Sequence, residues 1–151
     1  MNLTLKNCYF SALLLVIVSS CSDDESGVSA KTKLLTSKSW LQTKREFGPI
    51  GGPYEDITFT IEECNLDNLI RFRTDGKYDD IVGDDLCTSF EVNSTGTWKW
   101  EYIENQISMT NSNNLTRKYE LIELSDSVLK LNLKVVGQPT DADMIFTYSG
   151  Q

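Results

Sequence analysis

The stretch that most constrains the fold is residues 69–82, where Asp75-Gly76 interrupts two runs that carry apolar side chains. Asp-Gly in that setting is a strong hairpin signal, because the turn requires positive φ and glycine adopts it without a Cβ clash. A two-residue turn sets Thr74 opposite Lys77 and, carried outwards in the same register, Cys64 opposite Cys87. A three-residue turn with a glycine bulge instead pairs Phe72 with Tyr78 and leaves the cysteines one residue out of step, which a further bulge can absorb. In either register the two thiols lie within bonding reach. Closing a loop of this length stabilises by roughly 3 kcal/mol in the chain-entropy model.

The rest of the chain is also written in short extended runs. Residues 40–47 read as a first strand, and residues 48–53 hold three glycines and two of the chain's 3 prolines, a loop. Residues 57–61 (ITFTI) are β-branched and aromatic, which predicts an extra or edge strand. From Gly96 the alternation is clear: Trp98, Trp100 and Tyr102 share one face, while Thr97, Lys99 and Glu101 share the other. Residues 105–110 form its partner. Residues 117–124 and 128–136 make a second hairpin about Ser125-Asp126-Ser127, with Leu129, Leu131, Leu133 and Val135 on one face, and residues 144–148 close the chain. Residues 31–39 offer a single helical turn or lead-in. Eight or nine short strands without a sustained helix predict an all-β domain, an up-and-down antiparallel β-barrel of about eight strands or a sandwich, and closure would leave no edge to aggregate.

The amino terminus carries an address. Lys6 precedes an apolar run at residues 10–18 that is too short to span a bilayer, the pattern of a secretory signal. Val18-Ser19-Ser20-Cys21 resembles the bacterial lipoprotein signal, in which the cysteine is lipidated and becomes the first mature residue. The acidic Ser22-Asp23-Asp24-Glu25 is similar to the signal that sends lipoproteins of the Bacteroidota to the cell surface. The expected division is therefore a signal peptide over 1–20, a lipidated tether over 21–33 and a single domain over 34–151, on an outer-membrane lipoprotein displayed at the surface or, as the alternative, facing the periplasm. Cys8 would leave with the signal peptide and Cys21 would carry the lipid. Cys64 and Cys87 then remain, and two thiols outside the cytosol are expected to pair.

Composition narrows the chemistry. The chain has 14 basic and 22 acidic residues, and loss of Lys6 takes the formal charge from −8 to −9, which argues against a nucleic-acid partner. There is no histidine, so His-based triads and His-ligated zinc are excluded. Asp75, Asp79, Asp80, Asp84 and Asp85 lie close to Glu62, Glu63 and Asp67, but their spacing matches no EF-hand loop, and neither a metal nor a cofactor is expected. Asp79 and Asp80 are neighbours that point to opposite faces of a strand and cannot flank one glycosidic bond, so the chain is not expected to be an enzyme.

The order of features resembles the lipocalin-like domains of secreted Bacteroidota lipoproteins. The matching pieces are LLTSKSW at 34–40, Cys64 followed by FRTDGKY at 72–78, Cys87, GTWKW at 96–100, YELIELSDSVLKL at 119–131 and IFTYS at 145–149. The resemblance implies a β-barrel that holds a small hydrophobic or amphipathic ligand without catalysis. The expected ligand wall is Trp98, Trp100 and Tyr102 against Leu129, Leu131 and Leu133. The alternative is a protein-interaction module, such as an inhibitor of a basic, lysozyme-like host enzyme or an accessory subunit of a surface complex. An open cavity favours the first, and a filled interior with an aromatic or acidic rim the second.

Overall fold

The computed structural model describes residues 27–137 and 140–151. The expected signal peptide over 1–20, Cys21 and the acidic residues 23–25 lie outside the described residues. The strands in chain order are β1 (Ser39–Pro49), β2 (Glu55–Asp56), β3 (Leu69–Phe72), β4 (Lys77–Ile81), β5 (Ser94–Glu101), β6 (Gln106–Thr110), β7 (Thr116–Leu124), β8 (Val128–Val135) and β9 (Ala142–Gly150). From β3 onward each strand pairs antiparallel with the next, β3 also pairs with β1, and β9 returns to β1 from Trp40↔Gly150 to Pro49↔Ala142. Eight strands thus close into an up-and-down antiparallel barrel, and β2 is a two-residue flap against Glu46 and Phe47. Every interior strand edge is paired, as expected.

The period-two pattern sorts side chains between the core and the outer wall. Leu129 and Leu131 of β8, Trp98 of β5, Ile107 and Met109 of β6, and Phe72 and Tyr78 of the first hairpin converge in one buried cluster. Gly96 faces the same interior, where a Cβ would overlap the Tyr78 ring and the Thr110 carbonyl. The outer wall carries ion pairs within and between strands instead: Glu101 with Lys99 and Lys118, Glu120 with Lys134, and Glu46 with Lys44 and Lys130. An apolar inside with a charged outside is the reverse of a membrane-spanning barrel.

One end is closed by the helix α1 (Ala30–Thr36). Ser29 caps it, its Oγ accepting from the Thr32 amide at 3.1 Å. Leu35 drops into the barrel, and its carbonyl accepts the Trp40 indole N–H at 2.9 Å. Because the helix begins at Ala30 and Lys31 reaches the Glu104 carbonyl in the β5–β6 turn, packed structure starts ahead of the expected boundary between 33 and 34.

The first hairpin takes the three-residue turn. Phe72 pairs with Tyr78, the Arg73 amide donates to the Lys77 carbonyl, and Gly76 has φ 79°. The ladder stops at Leu69↔Ile81, and the cysteines meet through the loops beyond it, Cys64 and Cys87 bonding across a Cα–Cα distance of 5.0 Å.

Two expectations are corrected. Residues 57–61 hold a 3₁₀ turn, Thr58–Thr60, rather than a strand. Asp56 Oδ1 accepts the Thr58 amide and Thr58 Oγ1 accepts the Arg45 amide, so side chains take backbone bonds that a ladder would need, leaving Ile61 buried and Phe59 84% exposed. Tyr102 does not continue the tryptophan face. β5 ends at Glu101, and Tyr102, Ile103 and Glu104 all have positive φ, which turns Tyr102 outwards to 73% exposure.

Candidate functional site at the barrel mouth

The interior has two halves. Towards α1, the side chains of Trp40, Phe72, Trp98 and Leu129 fill the space. Phe72 and Trp98 meet edge to face at 5.5 Å, and Trp98 meets Trp100 the same way at 5.7 Å. Each indole is anchored by its N–H: Trp40 on the Leu35 carbonyl, Trp98 on the Arg73 carbonyl at 3.0 Å, Trp100 on Thr32 Oγ1 at 2.8 Å. The residual gap above this floor is about 30 Å³, room for one water. At the other end the barrel opens into a cavity of about 640 Å³.

The placement of the expected ligand wall follows from these two halves. Trp98, Trp100, Leu129 and Leu131 belong to the packed floor, Leu133 is half-buried on the outgoing end of β8, and Tyr102 lies in an exposed turn at the opposite end. None of the six borders the large cavity. That placement has a physical reason: two tryptophans with satisfied indoles and edge-to-face neighbours fill a small barrel's waist, so the larger space lies above them.

A different set lines the mouth. Gln42 and Arg45 come from β1, Ile70 from β3, Asp80 from β4, Arg117 from β7 and Tyr148 from β9. Tyr78, Tyr119 and Phe146 extend the wall on the β4, β7 and β9 side. A bulge between Gln42 and Lys44 is what brings Arg45 inside: Trp40 and Gln42 face inwards on even numbers, then Arg45 pairs with Phe146 on the inner face. The Arg45 guanidinium lies 5.7 Å from the Phe146 ring, which meets Tyr119 edge to face at 6.0 Å. A second bulge, between Leu121 and Glu123, keeps both Leu121 and Leu124 against the core.

The electrostatics of the mouth are those of a partly dehydrated polar layer. Burial, with a smaller contribution from the neighbouring Asp79, lifts the Asp80 carboxyl above the ordinary aspartate range, and the Ser94 hydroxyl bonded to it at 3.2 Å offsets part of that rise. Burial, reinforced by Asp80, pushes the Tyr78 phenol up to about 12. The Tyr119 and Tyr148 phenols are raised by burial too, with Arg117 and Arg45 respectively pulling the other way.

The acidic cluster disperses into structural tasks. Asp75 caps the Lys77 amide, Asp67 accepts the amides of Asp84 and Asp85, and Asp79 accepts from Thr95 while Asp80 turns inwards. Glu62 stands beside Cys64 and Cys87, but those sulfurs are bonded to each other and offer no thiolate. The buried Asp143 is also structural. Burial disfavours its charge, but Asn132, the Tyr54 hydroxyl and the Gly51 amide donate to it and hold it below the ordinary range.

A closed antiparallel barrel with a packed floor and a ligand-sized mouth defines the class of protein. The family described as the lipocalin-like domain matches residues 31–131, from α1 into β8, and the chain belongs to that family. Among curated proteins, none matches the chain. The family points to ligand binding in general.

Proposed function

We propose that this chain is a non-catalytic binding protein, tethered to the outer membrane by a lipid on Cys21 and displayed at the cell surface, that holds a small hydrophobic or amphipathic molecule in the barrel mouth. The observation that carries the reading is the open cavity of about 640 Å³ above a filled floor, at the upper middle of the range for small-molecule sites. The entry of the described chain supports it, since Ser29 and α1 lie at the closed end, away from the mouth. A panel of single-chain lipids, sterols and aromatic acids tests it. At least one compound should raise the melting temperature in step with its concentration, because only the folded state binds. If none does, the ligand reading fails. For the anchor, Cys21→Ala should release the protein from membranes or leave it unprocessed; unchanged fractionation and mass would end that part.

A protein-interaction role remains the second reading, favoured by the two loops that the disulfide ties together. They expose Phe59, Leu66, Leu86, Phe90 and Val92, with Phe90 88% exposed, on an acidic chain. Inhibition of a lysozyme-like enzyme, lost on Phe90→Asp, would favour it.

A further inference from the structure

The mouth treats its cations differently from the outer wall. Outside, Lys99, Lys118, Lys130 and Lys134 each sit on a glutamate. In a chain with 22 acidic residues against 14 basic ones, neither Arg45 nor Arg117 is in an ion pair among the described residues, although both border the cavity. Arg45 makes only long contacts, 3.4 Å to Thr60 Oγ1 and 3.5 Å to Gln42 Oε1. Its Nε is buried without a partner, and so is Nε2 of Gln42 on the same wall. Donors closed off from water and unmatched by the protein carry a desolvation penalty that an acceptor on a ligand removes. The two guanidiniums also border one aromatic layer: Arg45 lies over Phe146, Phe146 meets Tyr119 edge to face, and Arg117 lines the same wall as both rings.

Resting on the reading of the mouth as a ligand site, we propose that it selects an anionic amphiphile, its carboxylate on Arg45, with Arg117 adding positive charge to the same cavity and a short apolar body against Ile61, Leu69, Ile70 and Val82. Guanidinium is the side chain best matched to a carboxylate, presenting paired donors in a fixed plane. The apolar body must be short or folded, because the tryptophan floor leaves only about 30 Å³ beneath the mouth. Asp80 faces the same space and Glu62 stands at its rim, so Asp80 opposes the bound anion and limits its affinity.

Calorimetric titration of the mature protein with octanoate, octanol and octylamine reads the head group directly. Octanoate should bind at least about tenfold more tightly than octanol, and octylamine most weakly. The double variant Arg45→Gln/Arg117→Gln should weaken octanoate far more than octanol, bringing the two to about the same level. Asp80→Asn should strengthen octanoate binding several-fold, a gain that a misfolded variant cannot produce. Equal binding of octanoate and octanol, unaltered in the arginine variant, would overturn the head-group assignment and leave the ligand site standing. Preference for octylamine would overturn it too, placing selection with Asp80 and Glu62. Binding of none of the three would remove the site and the assignment together.

Discussion

The two ends of this barrel are built from the same strands and solve opposite problems. At the closed end each polar atom of the tryptophans has a partner, and Leu35, Trp40 and Ile107 are fully excluded from water. At the mouth, Gln42 and Arg45 keep buried donors without partners, and Asp80 carries a charge that its surroundings disfavour. Dense packing and open space are therefore separated along the barrel axis.

The largest test of that separation is the floor. Trp40→Ala removes a fully buried side chain and orphans the Leu35 carbonyl, and should cost about 3–5 kcal/mol in chemical denaturation. Arg117→Gln at the exposed rim should move the same curve by about 0.5 kcal/mol or less. Comparable losses at both sites would mean that the mouth is part of the stabilising core. The next effect is the bridge. Cys64→Ser/Cys87→Ser should lower stability by about 3 kcal/mol, and the parent domain, denatured without reductant, should titrate no free thiol. Two free thiols would refute the pairing.

The smallest effect sharpens the contrast by its sign. Asp80 has a folded-state affinity for protons above that of the unfolded chain, so its ionised form destabilises the folded state at neutral pH, and the penalty disappears as pH falls through the folded pKa. Asp80→Asn, which keeps an acceptor for Ser94, should therefore raise the melting temperature at pH 7 and lose that advantage in acid. Asp143 behaves in the opposite sense: its lowered pKa stabilises the fold above the aspartate range, and that stability is lost as the pH drops through its folded value. An Asp80→Asn variant that was less stable at pH 7 would show that the charge has a partner in the mouth.

Much of the architecture was legible in the sequence because short-range rules govern it. Alternation placed Leu129, Leu131 and Trp98 inwards, Asp75-Gly76 made the hairpin, and two cysteines flanking it were bound to meet. What alternation could not reveal is where it breaks. Three consecutive residues at positive φ turned Tyr102 away from the tryptophan face, and side-chain bonds from Asp56 and Thr58 turned a β-branched run into a 3₁₀ turn.

The sequence by itself determined an all-β domain with a hairpin at residues 69–82 and a strongly apolar interior. Only the tertiary structure decided which interior residues pack and which remain open. Arg117 and Tyr119 share a strand face that alternation already shows. Arg45 is on the inner face only because the bulge at Thr43 reverses the strand's parity, and a bulge forms where the closing strand β9 requires it. The division into floor and mouth depends on how much volume Trp40, Trp98 and Trp100 occupy once eight strands have closed around them. That is a property of the ring as a whole, and no single stretch of sequence encodes it.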